Sequence, residues 1–93
     1  MDTTEIKSGR VLIDFYATWC APCKMLSKNI ELYESQVDEV KVVKVNIEEE
    51  QEMSMAFGVR SVPTLVYMVD GSVVERVVGV KSVEQLKELT KVE

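Results

Sequence analysis

The sequence predicts an α/β domain on a mixed β-sheet, and three patterns carry that expectation. A near-continuous apolar run, Val11 to Tyr16, leads into a helical repeat of Leu26, Ile30, Tyr33 and Val37 at steps of four, three and four. A valine-rich run from Val40 to Ile47 follows, and two strands joined through a helix should lie parallel. Further on, Asp70-Gly71 separates Leu65–Val69 from Val73–Val78, which is the signal of a two-residue hairpin and of antiparallel strands.

Residues 1–9 form a short polar segment ending at a glycine turn signal, too short for a strand plus a helix. The segment lacks an apolar core, so no signal peptide is expected. The run Val11–Tyr16 fits a central strand buried on both faces, and Asp14 interrupts it. A carboxylate inside such a strand is costly unless it is protonated or partnered, so burial should raise its pKa; a solvated position at a strand end is the alternative. The helix from Ala21 to about Val37 presents a core-facing stripe. Glu48 to Glu52 suits a helix N-terminus, Met53, Ala56 and Phe57 give one apolar face, and Gly58 is the expected stop. Met53 and Met55 read as core filling before any partner surface. Val62-Pro63-Thr64 precedes the third strand, and Ser82 is a good N-cap for a last helix carrying Val83, Leu86 and Leu89 inward and Glu84 and Glu88 outward. The length of 93 residues and the 46% hydrophobic content suit one small domain over residues 1–93 with a single core.

The chemistry-bearing stretch is Trp19-Cys20-Ala21-Pro22-Cys23-Lys24, which holds both cysteines of the chain at a strand-to-helix junction. A C-x-x-C pair in a βαβ setting reads first as a redox dithiol, because one sulfur can attack and the other resolve. With the helix opening at Ala21, Cys20 occupies the N-cap, where unpaired backbone N–H groups and the positive end of the helix dipole favour a thiolate. Thiols so placed have pKa values lowered to roughly 3.5–7.5, which makes Cys20 the expected nucleophile. Cys23, one turn inside the helix, is the expected resolving thiol and should be the more buried. Pro22 needs no N–H partner in the first turn and stiffens the loop. Two other readings stay open on spacing alone: a plain disulfide or inert thiols, and a zinc half-site. Zinc normally takes four ligands, and the chain has no histidine and no second cysteine pair, so no metal is expected.

Residues Phe15-Tyr16-Ala17-Thr18-Trp19-Cys20-Ala21-Pro22-Cys23-Lys24 resemble the active-site segment of the thioredoxin family, whose usual form has glycine where this chain has Ala21. Asp14, Lys44, Val62-Pro63-Thr64 and Gly79 also match the family, and the resemblance covers roughly residues 9 to 93. It implies the thioredoxin fold: a four-stranded mixed sheet in the order 2-1-3-4, with the last pair antiparallel and helices on both faces. It also implies a protein disulfide reductase in which Asp14 is buried and assists proton transfer at Cys23, with Lys44 close to that carboxylate. Pro63 would be cis and lie against the dithiol, leaving the Val62 backbone free to pair with an extended substrate segment. Trp19, Ala21, Pro22, Val62, Pro63 and Gly79 would form the apolar docking surface. No bound cofactor is implied, and electrons would come from a partner thioredoxin reductase, NADPH- or ferredoxin-dependent. The chain resembles a shortened form, without the family's usual first strand and helix, so the second strand would be an edge that Lys41 and Lys44 help protect. The family's kinking proline aligns with Lys28, which predicts a straighter helix.

Composition narrows the partners. A net charge of −5 with no basic stripe disfavours nucleic acid, and no apolar run approaches the ~18 residues of a membrane span. A reducing, cytoplasmic setting and a monomer are expected, and the family resemblance implies disulfide-containing protein substrates. Three rival roles remain: a disulfide oxidant or isomerase, since Ala21 sits where the potential is tuned; a glutaredoxin-like, glutathione-using role; and a non-catalytic binding subunit.

Overall fold

The computed structural model describes residues 3–92; Met1 and Asp2 of the polar N-terminal segment, and Glu93, lie outside the described residues. After a short 3-10 turn at Thr3–Ile6 come β1 (Arg10–Tyr16), α1 (Ala21–Gln36), β2 (Lys41–Asn46), α2 (Gln51–Ala56), β3 (Thr64–Val69), β4 (Ser72–Val78) and α3 (Val83–Leu89). The sheet order is β2-β1-β3-β4, with β1 parallel to β2 and antiparallel to β3, and β3 antiparallel to β4. This is the expected topology, and it puts β1 at the centre. No described helix is long and apolar enough to cross a membrane.

The period-two alternation of the strands divides the core into two layers. Leu12, Leu65 and Tyr67 face α1 and α3, packing against Leu26, Ile30, Tyr33, Leu86 and Leu89. Val11, Ile13, Phe15, Val43, Val45, Val66 and Met68 face the other way, against Ile6 and Met53, with Phe57 alongside. Helical cover therefore lies on both sides of the sheet, and α1 runs unbroken for 16 residues through Lys28. The α2 face differs from expectation. Met53 and Ser54 are buried, but Ala56 is exposed and Met55 is 79% exposed, because a helix of six residues turns only one narrow side to the sheet. Met55 is thus not core filling.

The hairpin is closed by Asp70 and Gly71 with φ of 49° and 85°, the pair of positive values of a type I′ turn that matches strand twist. Its tip is tied to the start of β1 twice: the Asp70 N–H donates to Gly9 O, and the Gly9 N–H donates to Asp70 Oδ1, each at 2.8 Å. On the edge strand β2, Lys41 pairs with Glu5 of the 3-10 turn at 3.2 Å. The last helix carries a reciprocal capping box between Ser82 and Gln85.

A polar cluster fastens β1, β3, α1 and α3 at the end of the sheet away from the dithiol. Arg10 Nε donates to Tyr67 OH at 2.7 Å, and another Arg10 nitrogen donates to Thr90 O. The Thr90 hydroxyl donates to Leu86 O at 2.9 Å, so the Tyr33 hydroxyl is the donor in its 2.6 Å bond to Thr90 Oγ1. Desolvation, the largest influence, raises the Tyr33 pKa. The two ends of that bond are not equivalent. Thr90→Val leaves a buried phenol unpaired and is expected to cost about 1–3 kcal/mol, whereas Tyr33→Phe removes the donor itself and should cost about 1 kcal/mol. Urea unfolding of both variants measures the difference.

Candidate active site

β1 delivers the chain to the site. Immediately after Tyr16, residues Ala17 to Trp19 turn, and Cys20 becomes the N-cap of α1 in an extended conformation, φ −94° and ψ 111°. The Cys23 N–H donates to Cys20 Sγ at 3.2 Å, so the sulfur occupies the place of a capping oxygen. The two cysteines form a disulfide with Cα atoms 5.2 Å apart. Among the described residues, no group of three or more His, Cys, Asp or Glu side chains is placed to hold a metal ion.

The expected difference in burial between the cysteines is not found. Cys20 and Cys23 are each 4% exposed, because the bond sets the sulfurs side by side beneath Val62, Tyr16 and Ile47. Val62 O lies 3.8 Å from Cys20 Sγ, across the cis Val62-Pro63 peptide. Around this pair, Trp19 is 68% exposed, Ala21 and Pro22 are exposed, and Val62 and Gly79 are half-buried. Pro63, expected on the apolar surface, is buried instead; its carbonyl accepts from the Gly79 N–H at 3.0 Å and so faces the end of β4. Gly79 has φ +101°, and a Cβ there would meet nothing within 4 Å. Backbone conformation, not crowding, demands that glycine.

Asp14 is buried, 2% exposed, and its Oδ1 has no hydrogen-bond partner. The solvated alternative is therefore set aside. It lies on the α1 face of β1, directly across from Lys44 in the parallel register and from Leu65 in the antiparallel one. Burial raises its pKa from the usual 3.8 to about 6, against an opposing pull from the positive charge of Lys44. Asp14, Cys23 and Lys44 share a pocket of about 300 Å³ with Tyr16, Ala17, Thr18, Lys24 and Ser27. The exposed Lys44 does not pair with Asp14; its Nζ donates to Ser27 Oγ at 2.9 Å. Ser27 was not singled out from the sequence. The available signal was its spacing: four residues after Cys23, it lies on the same face of α1, which looks onto β2.

A dithiol at a helix N-cap, on the end of a central strand and in front of a buried carboxyl, defines a thiol–disulfide oxidoreductase. The thioredoxin family model matches residues 3–92. The chain is 44% identical to thioredoxin of Bacillus subtilis over 88 residues, covering 94% of this chain and 85% of that protein. It is 47% identical to thioredoxin of Chlamydia caviae over 81 residues, 87% of this chain and 79% of that one. A mutant thioredoxin from Halobacterium salinarum superposes with a TM-score of 0.87 at 42% identity, covering 97% of this chain and 79% of that chain. The chain belongs to the thioredoxin family and is a protein disulfide reductase of thioredoxin type.

The raised Asp14 pKa has a sign for stability. Between pH 3.8 and about 6 the folded state holds a proton that the unfolded state releases. Stability therefore falls as pH rises through that window, by about 3 kcal/mol. Asp14→Asn removes the ionisation. It should be more stable than the parent by about 2–3 kcal/mol at pH 8 and indistinguishable from it below pH 4, as measured by denaturant unfolding across pH.

Proposed function

We propose that Cys20 is the attacking thiol, Cys23 the resolving thiol, and Asp14 the acceptor of the Cys23 proton. The observation that carries this reading is the shared pocket of Asp14 and Cys23, behind a Cys20 sulfur that accepts a backbone N–H at the helix N-cap. That N–H and the helix dipole stabilise negative charge on Cys20 in the reduced protein. The Cys20 thiolate attacks one sulfur of a substrate disulfide, breaking the S–S bond and expelling the other as a thiolate that takes a proton from water. The Cys23 proton passes to the Asp14 carboxylate, and the Cys23 thiolate attacks Cys20 Sγ. A Cys20–Cys23 bond forms and the second substrate thiolate leaves; two electrons have passed from the dithiol to the substrate. The pocket has room for water to bridge Cys23 and Asp14.

Substrates would lie over Trp19, Ala21, Pro22, Val62 and Gly79 as extended segments paired to the Val62 backbone, with Pro63 supporting that loop from beneath. This surface is apolar and makes no demand on substrate sequence. Lys44 tempers the charge on Asp14. Turnover consumes the dithiol, so the proposal includes a reductase partner, NADPH- or ferredoxin-dependent, and a reducing cytoplasmic setting in which that partner operates. A monomer is favoured by the charged edge of β2, where Lys41 is held by Glu5.

Reduction of a disulfide-bonded protein by excess dithiol donor tests the roles. Cys20→Ser should abolish catalysis, and Cys23→Ser should accumulate a covalent mixed disulfide through Cys20, seen as a mass increase on non-reducing analysis. A Cys23→Ser variant that traps nothing overturns the assignment. Resolution of the mixed disulfide should slow as pH falls through about 6, as Asp14 takes up its proton. In Asp14→Asn that step should be slower by about 10²-fold and should lose this inflection. Stopped-flow Trp19 fluorescence measures it.

A further inference from the structure

The contact between Ser27 and Lys44 joins α1 to β2 at the mouth of the Asp14 pocket. Lys44 stands opposite Asp14 in the β1–β2 register, and Ser27 is one helical turn beyond Cys23. The groups around Asp14 are Tyr16 on its own strand, Cys23 and Lys24 from α1, and Lys44 from β2, while its β3 neighbour, Leu65, is apolar. Of the two cations, Lys44 is the one whose charge acts on Asp14. Its ammonium donates to Ser27 Oγ rather than to the Asp14 carboxyl.

We propose that Ser27 is a positioning residue: its hydroxyl tethers the Lys44 ammonium at the pocket mouth, near enough to Asp14 to act on it and too far to pair with it. The physical case rests on the two places an untethered ammonium can go. Moving inward, toward a carboxyl that is 2% exposed, would strip the ammonium of water it binds strongly. Moving outward costs nothing in hydration and restores the freedom of a four-carbon stem. Without Ser27, then, the charge drifts into solvent, where screening removes most of its influence on Asp14. With Ser27, the acceptor keeps a lower proton affinity than burial alone would give it, and more of it is ionised at neutral pH to receive the Cys23 proton. The tether thus sets the lower pH limit of the resolving step, which rests on the reading of Asp14 as acceptor given above.

The test is a titration of the Asp14 side-chain carboxyl carbon by NMR in the parent, Ser27→Ala, Ser27→Thr, Lys44→Gln and the Ser27→Ala/Lys44→Gln pair. Alanine is the better helix former, so Ser27→Ala should fold. Its Asp14 midpoint should lie higher by roughly half to one pH unit. Ser27→Thr should restore the parent midpoint, and in the Lys44→Gln background Ser27→Ala should change nothing further. An unchanged or lowered midpoint in Ser27→Ala overturns the tether, as does a shift of equal size that survives in Lys44→Gln. The pH profile of mixed-disulfide resolution is then measured on the same variants and should move with the midpoint. A midpoint that rises while the profile stays in place supports the tether and overturns Asp14 as the acceptor instead.

Discussion

Burial of one carboxyl in the central strand is the constraint on which the rest of the site depends. β1 is flanked by β2 and β3 and covered by helices on both faces, so any side chain on it is removed from water unless it lies at an end. Asp14 sits well inside the strand with one oxygen unpartnered. A group held that way is expensive when charged and cheap when neutral, which is why its proton affinity rises into the range useful for exchange with a thiol. The fold is thereby made less stable at neutral pH than a neutral residue would leave it. A domain of this size has only about 5–15 kcal/mol in hand, so the concession is substantial.

The remaining parts follow from where β1 ends. Continuing the chain past Tyr16 into a helix that packs back on the sheet brings the helix N-terminus over the same end of the sheet as Asp14. The two needs of the dithiol, a site that favours a thiolate and a nearby acceptor for a second proton, are met by one strand-to-helix junction. The cis Val62-Pro63 loop leads into β3, the other neighbour of β1, and so arrives at the same place from the opposite side. Two segments far apart in sequence, the dithiol junction and the Val62-Pro63 loop, converge because each borders the end of the central strand.

Much of this could be read from residue patterns. The β1, α1 and β2 elements were legible from hydrophobic period, the hairpin from Asp70-Gly71, and α3 from Ser82, since each signal is local and acts through the backbone. The dithiol was legible from two cysteines three apart at a strand-to-helix boundary. The misreadings concern how much of a side chain its neighbours cover. Met55 reads as core filling and Ala56 as part of an apolar face, yet α2 is too short to bury more than Met53 and Ser54. Cys23 was expected to be deeper than Cys20, but the cover over both sulfurs comes from Val62, Tyr16 and Ile47, which no spacing within C-x-x-C could show.

Ser27 marks the boundary most clearly. In sequence it is an unremarkable helix serine, and only the packing of α1 on the β2 side of the sheet brings its hydroxyl to Lys44. Asp14 and Lys44 likewise become neighbours through strand register, thirty residues apart in the chain. The order of elements, the turn chemistry and the reactive sulfurs were set by amino-acid identity, because they depend on forces acting over a few residues. The proton affinity of Asp14, the cover on the disulfide and the position of the Lys44 charge were decided by the assembled fold, because desolvation and Coulomb interactions depend on what surrounds a group in space.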